Sequence, residues 1–142
     1  MKRTLFFGLA CLATTMQSSA QTAWEDTHDW SEFPQAQAEA YETGKTERVA
    51  NLDQQGILFC KAHWEGFSEV IEERGTEIVF GGLTADEVFS AVDHWAAMLE
   101  VSDYDAERAI ADDAYYSLRY FGPAADVRLA ATKKLGACAP AG

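Results

Sequence analysis

From Val49 to Ile71 the chain places Val49, Leu52, Gly56, Phe59, Cys60, His63, Phe67, Val70 and Ile71 at steps of three and four. That spacing returns each side chain to one face of an α-helix, whereas a strand would need alternation every second residue. Glu65, Glu69, Glu72, Glu73 and Arg74 fall on the other side or in the final turn, and Gly75 ends the run. A helix this long must bury its stripe against other elements, so the rest of the chain has to supply them.

The flanking segments supply helices. Ser31 is suited to cap one, with Pro34 in its first turn, Phe33, Ala36, Ala40 and Tyr41 on one side, and Gly44 as the stop. Thr84 and Glu87 have the spacing of a capping box, followed by Val88, Phe89, Val92, Trp95, Ala96 and Leu99. Ser102 and Asp105 resemble a second cap, opening a helix through Ile110, Ala114, Leu118 and Phe121. Gly122-Pro123 breaks it, and a last helix carries Val127, Ala131 and Leu135 up to Gly136. Glu77 to Leu83 is β-favouring but too short to build a sheet, and is expected as an apolar connection over the core. Residues 21–31, with Trp24 and Trp30, are expected as an irregular arm docking its indoles. The expected fold class is all-α, a compact bundle of four to five helices.

The N-terminus carries an address. Lys2 and Arg3 precede an apolar run from Leu5 to Met16, and Ser18-Ser19-Ala20 supplies the small residues of a cleavage site. Residues 1–20 therefore read as a cleaved signal peptide, and 21–142 as a single helical domain, periplasmic or secreted. The apolar run is too short to cross about 30 Å of hydrocarbon, and no later segment is long and apolar enough to do so. Lipid attachment at Cys11 is the weaker reading, because Leu9 sits one place too close to it. Cleavage leaves two cysteines, Cys60 and Cys138, which in an oxidising compartment are expected to form a disulfide.

Charge narrows the partners. The chain has 23 acidic and 11 basic residues, a formal charge of −12. Cleavage would remove Lys2 and Arg3 and no acid, moving it to −14. A chain this acidic lacks the basic footprint of a nucleic-acid binder and is repelled by anionic lipid.

The motifs that imitate chemistry each fail at a required position. Gly44-Lys45-Thr46 resembles the end of a phosphate loop, but Glu39 stands where glycine is needed. Asn51-x-Asp53-x-Gln55-Gly56 starts like an EF-hand, yet Ala62 occupies the place of the bidentate acid. The Asp103-x-Asp105 imitation lacks both the turn glycine and the terminal acid. Cys60-x-x-His63, His63 with Glu65, Asp93 with His94, and the Asp26, His28, Asp29 group would each be only part of a metal site. No nucleophile elbow or His-Glu-x-x-His occurs. The sequence thus assigns no catalytic residue, no cofactor and no metal ligand, and the protein is expected not to be an enzyme.

Aromatic side chains remain. Trp64, Trp95, Tyr115, Tyr116 and Tyr120 are the candidates for a ligand groove or an interface, since adjacent tyrosines cannot share one narrow helical face. The functional expectation is a non-enzymatic interaction or binding module whose unknown protein partner is basic. The alternatives are a carrier of a small apolar ligand in a groove between helices, and a periplasmic acid-stress chaperone. No motif is specific enough to name a family.

Overall fold

The computed structural model of the chain describes residues 24–76, 79–119 and 125–141. The export signal at 1–20, Cys11, Tyr120 and the Phe121-Gly122-Pro123 break lie outside the described residues. Among those described there are five α-helices, two short 3-10 turns and no strand: α1 (Phe33–Thr46), α2 (Gln54–Arg74), α3 (Ala85–Met98), α4 (Tyr104–Arg119) and α5 (Ala125–Ala137). The protein is an all-helical bundle stapled by one disulfide, Cys60–Cys138.

The long helix α2 is the axis. It buries Ile57, Cys60, Trp64, Phe67, Val70 and Ile71, with α3 and α4 packed against it, while α5 pairs chiefly with α1. Its start differs from the periodicity. Asn51 adopts a left-handed φ of 59°, and Asp53 accepts the Gly56 N–H at 2.8 Å, so the helix begins at Gln54. Val49 lies outside it and 64% exposed, because the left-handed turn takes the chain off the helical path. The Asp53 carboxylate that imitated a calcium ligand is therefore a helix cap. Gly75, at φ 79°, ends the helix as its sequence position implied.

Two glycines read as stops have a different task. Gly44 lies within α1 and Gly136 within α5, both buried. A Cβ on Gly44 would overlap the Lys133 carbonyl, and one on Gly136 the Tyr41 carbonyl. The two helices thus meet backbone to backbone at a reciprocal pair of glycines. Gly66 does the same for α2 against Ala111 of α4.

Three further positions depart from the expectation. Asp29, not Ser31, caps the N-terminal 3-10 turn (Trp30–Glu32) that leads into α1, its carboxylate accepting the Ser31 N–H. Asp103 accepts the Ala106 N–H at the start of α4, while the Ser102 hydroxyl donates to Glu107 instead. In α5, Val127 faces solvent and Arg128 is buried, its guanidinium 5.3 Å from the centre of the Phe33 ring. Burial pushes that guanidinium down to about 10, still cationic at neutral pH.

The arm is more ordered than expected. Trp24 opens a first 3-10 turn (Trp24–Asp26), is buried against Phe33 and Ala125, and donates its backbone N–H to Asp126 at 2.9 Å. Glu25 in return accepts the Ala125 N–H, so the arm caps α5 from a hundred residues away. Trp30 packs on Phe33 yet stays 37% exposed. Of the 77–83 connection, Phe80 is buried and Val79 and Leu83 pack on the core.

The glycine pairing makes a direct prediction. Gly136→Ala forces α1 and α5 apart and should cost about 1–3 kcal/mol or more in urea unfolding. Gly56→Ala, whose new methyl meets the Leu52 side chain and the Asp53 carboxylate but no neighbouring backbone, should cost less than Gly136→Ala.

Candidate functional site

Cys138 follows the last turn of α5 and is the point where the aromatic core closes. Its sulfur is bonded to Cys60 in the middle of α2, across 78 positions. Its carbonyl oxygen accepts two indole N–H groups, Trp64 at 2.9 Å and Trp95 at 2.8 Å. A carbonyl has two lone pairs, and both are used here in the interior. Trp64 from α2 and Trp95 from α3 are thus brought together, buried to 1% and 8% exposure. Their polar atoms are committed to the fold.

The tyrosines lie apart from them. Tyr115 of α4 packs at the edge of the core and donates its hydroxyl to Glu73, at the end of α2, with Arg119 5.4 Å from its ring centre. Tyr116 is exposed and meets Tyr115 edge-on. Tyr120 falls outside the described residues. Among the described residues, no three His, Cys, Asp or Glu side chains converge to hold a metal ion.

His63 is a core residue. Its Nε2 donates to the Ala131 carbonyl at 3.1 Å, and its ring stacks on Phe59. Burial drives its pKa down to about 4, with Lys134 acting in the same direction and the Ala131 bond and Asp113 opposing. It is neutral at pH 7.

Two surface features carry chemistry that no sequence motif marks. One is the α3–α4 turn. Met98, Val101 and Tyr104 are 45%, 67% and 75% exposed, interleaved with exposed Glu100, Asp103 and Asp105, and no Lys or Arg occurs between positions 97 and 107. Gln54 pins the turn: its amide donates to the Met98 carbonyl at 3.2 Å, and its oxygen accepts the Glu100 N–H at 2.6 Å. The aromatic at this place, Tyr104, was absent from the sequence candidates. Its signal was the run Met-Leu-Glu-Val-Ser-Asp-Tyr-Asp, apolar and acidic by turns where a linker would be polar throughout.

The other is a cleft of about 620 Å³ between α1, α2, α3 and the residues after α5. Trp64, Leu83, Ala91, Ala139 and Pro140 give it apolar lining; Lys45, Arg48, Tyr41, Ser90, Glu87 and His94 give it polar groups. Glu87 is occupied as the capping-box residue of α3, its carboxylate accepting the Thr84 N–H at 2.7 Å and hydroxyl at 2.8 Å. Lys45 pairs with Glu42 at 2.9 Å. Elsewhere four cations are drawn into ion pairs: Lys61 with Glu65 and Glu107, Arg108 with Glu69 and Asp112, Arg119 with Glu73, and Lys133 with Glu47. Burial works against the Lys61 ammonium, but the Glu107 and Glu65 carboxylates more than offset it and hold its pKa above the usual value.

No protein family, curated protein or solved structure matches this chain. Among the described residues, no helix is long and apolar enough to cross a membrane.

Two measurements probe the centre of the fold. Reduction of Cys60–Cys138 should lower stability by about 4 kcal/mol from loop-closure entropy alone, read as a shifted urea midpoint with and without reductant. For His63 the folded pKa near 4 lies below the unfolded 6.5, so its contribution is complete above pH 6.5 and lost on acidification toward 4. That loss amounts to about 3 kcal/mol. Unfolding followed from pH 7 to pH 4 should show it, and His63→Gln should flatten the slope across that window.

Proposed function

We propose that the protein is an exported, non-enzymatic interaction module that engages a basic protein surface through its acidic exterior. The observation that carries this reading is the α3–α4 turn, where three exposed apolar side chains stand among three carboxylates on a backbone already fixed by Gln54. Apolar anchors supply the desolvated centre of an interface, and the surrounding acids select a cationic partner and accelerate encounter. A pinned turn loses little freedom on docking, which favours affinity.

Export rests on the N-terminal signal in the sequence and is supported by the disulfide, which suits an oxidising compartment. Buried donors are committed to the fold, which favours a binding module: His63 Nε2 and the Trp64 and Trp95 indole N–H groups all donate to main-chain carbonyls.

The test is capture from the exported fraction on the immobilised, oxidised protein. Partners should be basic and should elute as salt rises from 50 to 500 mM. Tyr104→Ala should weaken retention at least tenfold, and Asp105→Lys should slow association more than it speeds dissociation. Retention that ignores both salt and the Tyr104 substitution would remove the reading.

A further inference from the structure

The cleft between α1, α2 and α3 runs against the charge of the chain. In a protein with twice as many acids as bases, two cations, Lys45 and Arg48, stand together at its edge. The carboxylates beside them are already engaged: Glu42 holds Lys45, and Glu87 is turned back onto Thr84. Arg48, by contrast, makes no hydrogen bond or ion pair among the described residues, and neither do the Tyr41 and Ser90 hydroxyls. The Tyr41 phenol stays protonated, since burial, then Glu42 and Glu87, push it up to about 12 against the pull of Arg48. A phenol, a hydroxyl, a guanidinium and an ammonium therefore border the same space with protons to donate.

Glu87 and His94 add to the polar lining, and the rest is apolar. Leu83, Ala91, Ala139 and Pro140 join the edge of Trp64, and the volume of about 620 Å³ lies within the range of small-molecule sites. A cleft that combines donors with apolar surface suits a molecule with an anionic head and an apolar body. We infer that this cleft is a binding site for an organic anion, a carboxylate or phosphate head on an apolar body, with Arg48 and Lys45 holding the head. Arg48 offers the bidentate fork that either head accepts, and Lys45 a point charge beside it. The long-range negative field does not prevent this, because ionic screening confines it to about 8 Å at physiological salt. The site shares no residue with the α3–α4 turn, so it stands or falls separately from the docking reading.

Calorimetric titration of the oxidised protein with laurate, dodecyl phosphate and dodecanol tests it. Saturable one-to-one binding is expected for at least one of the two anions, with dodecanol at least tenfold weaker. Which anion binds more tightly identifies the head group. Lys45→Ala/Arg48→Ala should weaken the anion at least tenfold while the thermal midpoint stays within a few degrees. Arg74→Ala/Lys134→Ala, which removes an equal charge outside the cleft, should leave the affinity unchanged. Dodecanol binding as tightly as the anions, an unaltered affinity in the double variant, or no saturation by either anion would each overturn the assignment.

Discussion

The structure depends on what happens at Cys138. One residue holds the middle of α2 through its sulfur and the indoles of α2 and α3 through its carbonyl. Without the covalent bond, the segment after α5 would have to keep two buried tryptophan N–H groups satisfied through non-covalent contacts alone. An indole N–H left without its acceptor in the interior costs on the order of 1–3 kcal/mol. The disulfide and the double hydrogen bond therefore reinforce each other: the first fixes where the carbonyl lies, and the second makes any displacement of that carbonyl expensive. The covalent tie also brings Ala139 and Pro140 to the cleft, so one edge of that site exists only because the chain end is anchored.

The second constraint is close approach. α1 and α5 meet through Gly44 and Gly136, and α2 and α4 through Gly66. Contact at that distance brings the polar Gln37 and Thr132 side chains together in the interior, where the Gln37 amide donates to the Thr132 hydroxyl at 3.1 Å. It also places Arg128 over the face of Phe33. Buried polar groups are tolerated when they find partners, and the glycine seam puts these within reach.

These same features mark the boundary of what the amino-acid order discloses. The stripe of α2, the Thr84–Glu87 box and the Gly75 stop are local, each read within a few residues, and all three are present. The Cys60–Cys138 bond matches the pairing expected once residues 1–20 are read as a leader and set aside. Gly44 and Gly136 mislead because a glycine near a helix end has the same local appearance whether it terminates the helix or admits a neighbour. Only the partner backbone distinguishes the two. Val127 and Arg128 exchange places for a related reason: hydropathy favours the valine inside, but the Phe33 ring that receives the guanidinium is 95 positions away. Likewise the aromatics chosen from sequence divide between core and surface according to contacts across the bundle, and Tyr104 gains its importance only from the turn that presents it.

Charge, finally, has two levels that the net value merges. Four cations are drawn to the seams between elements, where Lys61 joins α2 to Glu107 of α4 and Arg108 joins α4 to Glu69 of α2. There they neutralise carboxylates that packing has partly desolvated, which is where an ion pair is screened least. The acids left over accumulate on the outside and produce the field that favours a basic partner. Arg74 and Lys134 stay on the outer surface, and Lys45 and Arg48 border the open volume of the cleft. A cation kept at the rim of an apolar cleft contributes little to folding, because water solvates it as well as the protein does. The proposed ligand would use that placement, as the proposed partner would use the exposed Met98, Val101 and Tyr104.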